Sequence, residues 1–140
     1  MMRRQGAQQA MEDAGIRFED KLYGLSNYDF ESAYHAMNGL LARRAEFTAL
    51  FAMSDVIAFG AIRALVSAGL QVPEDVSVIG FDGITMSRYC VPVMATIVQP
   101  SEQIALQSIE LLVRQIEHGA PAQTVTLQPE LQQGESVRAI

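Results

Sequence analysis

The stretch Val72-Pro73-Glu74-Asp75-Val76-Ser77-Val78-Ile79-Gly80-Phe81-Asp82-Gly83, continued to Gln99-Pro100, decides how this chain reads. Val76–Phe81 is nearly all apolar and rich in β-branched residues, which predicts a strand covered on both faces in a parallel α/β sheet. The run stops at Asp82-Gly83, a turn pair, so a carboxylate stands where the strand leaves the sheet. Ligands of open α/β sheets bind outside the carboxyl ends of the strands, which makes Asp82 the first candidate for a binding residue. A second short apolar run, Ala95–Val98, ends the same way, in Gln99-Pro100.

Outward from that stretch, helices and strands alternate. Arg3–Ala14 is predicted as a helix stopped by Gly15, Asp20–Leu25 as a short strand, and Phe30–Arg43 as a helix with Ala33, Met37, Leu40 and Leu41 on one face. Phe47–Met53 reads as a strand. Ser54-Asp55 then supplies an N-cap for the helix Val56–Ala68, which Gly69 ends. Ser101–His118 is a further helix, closed by Gly119, and extended pieces follow at Gln123–Leu127 and Glu135–Arg138. Strands spaced by single helices predict βαβ units. Helix Val56–Ala68 has only Arg63 as an interior charge, so it needs cover on two sides: the sheet supplies one, and a second subunit could supply the other, the alternative being an Ala-rich helix tucked under a loop. Helix Ser101–His118 has Ala105, Ile109, Leu112 and Ile116 on one stripe, which also needs a cover.

The composition narrows the function. The chain has 140 residues, 49% apolar and 19% charged, which suits one domain with a real core. Its formal net charge is −6, and the basic residues are scattered, with Arg3-Arg4 and Arg43-Arg44 the densest pairs. A phosphate-gripping surface clusters its Lys and Arg, so this segment does not bind nucleic acid by itself. No apolar run reaches the length of a membrane span. The single cysteine, Cys90, excludes an intrachain disulfide and fits a reducing cytoplasm. His35 and His118 lack metal-ligand spacing, and neither a phosphate loop nor a nucleophile elbow is present. We expect neither an enzyme nor a metal or cofactor.

The segment Val72–Asp82, followed by Pro92-Val93-Met94-Ala95-Thr96-Ile97-Val98-Gln99-Pro100, resembles the lactose-repressor (LacI/GalR) family of sugar- and purine-responsive regulators, whose members carry a V-P-E-D approach, G-F-D, and a P-x-x-T-x-x-Q-P segment. The likeness runs over essentially the whole chain. It implies a type I periplasmic-binding-protein-like α/β lobe with an incomplete second lobe: residues 1–92 in the distal lobe, 93–120 as a strand and helix of the proximal lobe, and 121–140 returning to the distal lobe. The helix-turn-helix headpiece and most of the proximal lobe would lie upstream of Met1.

The resemblance also implies a site. Asp82 and Gln99 would contact an effector, a sugar or a nucleobase. Tyr28, in Ser26-Asn27-Tyr28-Asp29-Phe30, stands where the family places an aromatic platform. Arg3 matches the R-x-x-G opening of a helix, where a guanidinium forks onto ligand oxygens. Ser54 stands where the lactose repressor has Asn, and offers a short hydroxyl that also suits a helix cap. Gly83 departs from members with a second acid. A homodimer is implied, with operator DNA bound only through the headpiece. The alternative is a periplasmic sugar-binding protein of a transporter, which shares the fold and the G-F-D-G run; a bare oligomerisation module would leave these residues idle.

Overall fold

The computed structural model describes residues 2–44, 46–119 and 121–139, without the side chain of Met2. In chain order the elements are α1 (Met2–Asp13), α2 (Phe30–Ala42), β1 (Ala49–Phe51), α3 (Asp55–Ser67), β2 (Ser77–Asp82), β3 (Ala95–Val98), α4 (Ser101–His118) and β4 (Glu130–Gln132), with short 3-10 turns at Asp20–Leu22 and Thr85–Arg88.

One four-stranded sheet runs in the order β1-β2-β3-β4. β1 pairs parallel with β2, Leu50 opposite Val78, and β2 pairs parallel with β3, Gly80 opposite Thr96 and Asp82 opposite Val98. β4 runs antiparallel to β3, Val98 opposite Glu130, so the sheet is mixed rather than wholly parallel. The boundary expected between residues 92 and 93 would cut this hydrogen-bonded ladder. β3 belongs to the same sheet as β2, and the chain leaves that sheet only at Gln99-Pro100.

The helices begin where side chains can satisfy their first amides. Asp29 has extended dihedrals and accepts from Ser32 N at 2.7 Å, which starts α2; Ala33, Met37 and Leu40, at i, i+4 and i+7, are its buried stripe. Ser54 caps α3 by accepting from Ile57 N at 3.2 Å. Gly119, at φ 60°, ends α4 in the left-handed conformation, as its glycine predicts.

The core gathers Met37 and Leu40 of α2, Ala58, Ala61, Ala64 and Leu65 of α3, Val78 of β2, and Ala52, Val76 and Met94 beside the strands. Burial of Met37, Leu65, Met94 and Val78 stabilises the fold by roughly 1.5–3 kcal/mol each. Within the chain, α2 supplies the second cover of α3. Their close packing depends on Gly60: a Cβ there would lie 2.5 Å from Phe30 O and 2.7 Å from Ala33 Cβ. Val66, on the outer face of α3, stays 52% exposed.

Further expectations change. Asp20–Leu25 forms no strand, because a strand needs a neighbour to satisfy its ladder and none runs beside it among the described residues. At the chain end the strand is Glu130–Gln132 instead of Gln123–Leu127. Glu135–Arg138 forms no strand, yet buried Ser136 sits in it and joins the strands: its hydroxyl accepts from Ala95 N at 2.9 Å and donates to Val78 O at 2.6 Å. The two faces of β2 are covered unequally, since Val78 and Gly80 are buried while Ile79 and Phe81 are half-buried. α4 buries none of its residues, and its stripe is open.

Candidate functional site

β2 and β3 end side by side, and their last residues meet. Gln99 Nε2 donates to Asp82 Oδ1 at 2.6 Å, and Gln99 N donates to Asp82 O at 3.2 Å. Arg3, from α1, reaches the same oxygen: its Nη2 lies 3.2 Å from Asp82 Oδ1. Its Nη1 donates to Met53 O at 2.5 Å, and its guanidinium stacks on Phe81 with Cζ 3.9 Å from the ring centroid. Three contacts hold an arginine near the chain start, so it does not fray into water.

The turn that presents Asp82 is under strain. Asp82 has φ 113°, far outside the region that residues with a Cβ adopt, and Gly83 follows at φ 74°. Such a conformation costs about 1–3 kcal/mol and persists only where its surroundings enforce it, which is characteristic of ligand-facing turns. Glycine at 83 is required twice over, by its φ and by space, because a Cβ would lie 2.8 Å from Val98 Cα.

The electrostatics are balanced. Asp82 and Arg3 keep side-chain exposures of 28% and 32%, so both remain open to solvent beside the strand ends. Arg3 and Gln99 both converge on Oδ1, which leaves Oδ2 outside these two contacts. A carboxylate, a guanidinium and an amide within one cluster offer donors and acceptors with no net charge.

Neither Tyr28 nor Ser54 bonds to Asp82, Arg3 or Gln99. Tyr28 has φ 60° and is 57% exposed ahead of α2. It lines an apolar cavity of about 260 Å³ between the outer edge of β1, α2 and the Phe18–Leu25 segment. Met53 lines the same cavity and its carbonyl accepts from Arg3, which links the two regions through the end of β1. Ser54 is buried at 4% exposure with its oxygen engaged by Ile57 N, so it serves the start of α3 and does not present itself to a ligand. Tyr34 of α2 is partly buried and packs against the core. Cys90 is half-buried, its Sγ 3.2 Å from Ser87 O and 3.1 Å from Pro92 O.

Two residues near the site were missed from sequence. Asp55 and Thr96 are fully buried and bonded to each other at 2.5 Å beneath the strand ends. Asp55 read only with Ser54 as the N-cap pair before a helix, and Thr96 only as the threonine of the P-x-x-T-x-x-Q-P segment. The usable signal was a carboxylate at a strand end, directly before a helix with a single interior charge.

The sequence profile of the periplasmic binding protein-like domain matches residues 1–137. The chain belongs to the periplasmic binding protein-like family. Within it, this domain is similar to transcription regulators of the LacI type. It is 38% identical over 131 residues to the HTH-type transcriptional regulator MalR of Clostridium butyricum, covering 94% of this chain and 39% of that protein. Similarity to the HTH-type transcriptional repressor PurR of Serratia proteamaculans (strain 568) is 37% over 136 residues, 96% of this chain and 40% of the repressor. Among solved structures, the transcriptional regulator CelR in complex with cellobiose superposes with a TM-score of 0.91 at 32% identity, over 96% of this chain and 41% of CelR. This periplasmic binding protein-like domain thus spans about two fifths of the relatives it matches. Among its described residues, no helix is long and apolar enough to cross a membrane.

Proposed function

We propose that this chain is the effector-sensing portion of a LacI-type transcription regulator, and that a small hydroxylated or heterocyclic ligand, a sugar or a nucleobase, binds at Asp82. One observation carries the reading. Arg3 and Gln99, far apart in sequence, converge on a single oxygen of a strained, strand-terminal carboxylate. Asp82 would accept from ligand hydroxyls or ring nitrogens, Gln99 would donate and accept, and Arg3 would fork onto ligand oxygens. Tyr28 would supply an apolar face.

In this reading the chain contains one wall of the site, residues 1–98 and 121–140, while α4 belongs to a second lobe. Ligand contacts on both lobes would bias their relative angle, which is the differential affinity that any switching ligand requires. Operator DNA would be bound through a helix-turn-helix segment outside the present sequence, by a homodimer in the cytoplasm, without catalysis. The relatives are named as regulators and repressors, which favours this reading over a transporter's sugar-binding protein.

A thermal-shift panel of cellobiose, lactose and purine bases, run on the protein and on Asp82→Ala, tests it. Stabilisation by one compound, lost in Asp82→Ala, supports the reading. Equal stabilisation of both proteins removes Asp82 from the site.

A further inference from the structure

The described residues bury five polar side chains, Ser54, Asp55, Ser87, Thr96 and Ser136, and only Asp55 among them can carry charge. Its carboxylate lies over the β2–β3 ladder at the Gly80–Thr96 pair. Oδ1 accepts from Thr96 Oγ1 at 2.5 Å, and Oδ2 accepts from Ile84 N at 2.8 Å. Gly80 makes the room, because a Cβ at that position would collide with Asp55 Oδ1. Its place in the first turn of α3 adds the amide-rich end of a helix, which favours a carboxylate.

Between Gly80 and Ile84 the chain passes Asp82 at φ 113° and Gly83 at φ 74°. These two dihedrals turn the backbone back so that the Ile84 amide faces inward. The turn is closed by two bonds: the longer Gln99 N–Asp82 O contact at 3.2 Å, and the shorter, charge-assisted one from Ile84 N to Asp55. We propose that Asp55 is the positioning residue of the effector site: by holding the Ile84 amide on one oxygen and the Thr96 hydroxyl on the other, it keeps Asp82 in its strained backbone conformation, with its carboxylate toward Arg3 and Gln99. The proposal rests on the reading of Asp82 as a ligand residue. Asp55 touches no ligand in this scheme and acts only through the turn and the strand that leads to Gln99.

The test needs no ligand. Isotope-labelled protein is compared by NMR as wild type, Asp55→Ala and Asp55→Asn. Three signals are read: hydrogen exchange at the Ile84 amide, the three-bond coupling between amide and Hα at Asp82, and the side-chain amide of Gln99. The coupling is small at φ 113° and large in extended backbone. Asparagine can still accept from Ile84 N and donate to Thr96 Oγ1, so Asp55→Asn is expected to keep the small coupling and the Gln99 shift. Asp55→Ala is expected to speed Ile84 exchange at least about tenfold, to raise the Asp82 coupling, and to move the Gln99 amide toward its free position. Faster exchange at Ile84 with the Asp82 and Gln99 signals unchanged would make Asp55 a structural cap only, and would overturn the proposal.

Should Asp55→Ala not fold, Asp82→Gly is added to it. Glycine adopts positive φ without strain, so the double variant is expected to regain stability over Asp55→Ala. No gain overturns the proposal. A positioned Asp82 in a protein that binds no sugar or base would defeat the ligand reading and leave the positioning role standing, so the two failures are distinct.

Discussion

Gln99 grips Asp82 twice, side chain to side chain at 2.6 Å and backbone to backbone at 3.2 Å, so the ends of β2 and β3 are locked together. A site built this way is preorganised on its strand side. A ligand would exchange its hydrogen bonds with groups already held in place, which limits the side-chain ordering that binding requires.

That lock has a measurable strength. Gln99→Ala removes the amide donor, but Arg3 remains and water reaches Asp82, whose side chain is 28% exposed. Destabilisation of about 1 kcal/mol is expected, toward the low end for a bond to a charged group because of solvent screening. Urea denaturation with an unchanged slope checks it; a loss of several kcal/mol would mean the glutamine supports more than this one contact.

Gly60 sets the distance between α2 and α3. In Gly60→Ala the new methyl meets Phe30 O and Ala33 Cβ at 2.5 and 2.7 Å, and backbone cannot yield as a flexible side chain can. Overpacking should destabilise by about 1–3 kcal/mol, against alanine's intrinsic preference for helix. A neutral or stabilising outcome in a denaturation curve would show that the two helices can separate freely.

Asp29 makes part of the stability depend on pH. The Ser32 amide, and after it the Ser32 hydroxyl, hold the Asp29 carboxyl below the usual carboxylate range. A depressed folded pKa means the cap stabilises above the unfolded value and is lost as pH falls through the folded one. Asp29→Ala should therefore lower Tm at neutral pH, and the gap from wild type should close in acid. A gap of constant size across the titration would rule out the ionised cap.

The open stripe on α4 predicts association. Ile109, Leu112 and Ile116 are 62%, 54% and 73% exposed, and the helix buries nothing within the chain. In isolation this chain should sediment as a dimer, and Leu112→Glu should shift it toward monomer. A monomeric wild type at high micromolar concentration would exclude α4 as an association surface.

Much of the site was legible before the fold. Asp82 and Gln99 announce themselves because each is a polar residue ending an apolar strand, and parallel strands of similar length end together. Arg3 was legible only through its resemblance to a family motif; nothing local says that a residue in α1 reaches the end of β2. Asp55 was illegible as a buried group because an acid in an N-cap pair is usually a solvated one. Asp20–Leu25 misled because its residues suit a strand, yet a strand is decided by its neighbour.

By itself the amino-acid order determined the four helices to within a residue, the Ser54 cap of α3, and the strands Val76–Phe81 and Ala95–Val98 to within a residue. Those features depend on periodicity and on side chains bonding to nearby amides, interactions spanning a few residues. The tertiary structure alone decided that Glu130–Gln132 closes the sheet antiparallel, that α2 packs against α3 at Gly60, and that Asp55 lies beneath the strained turn at Asp82. Each depends on groups distant in the chain being brought within hydrogen-bonding or van der Waals reach, and local sequence carries no record of that distance.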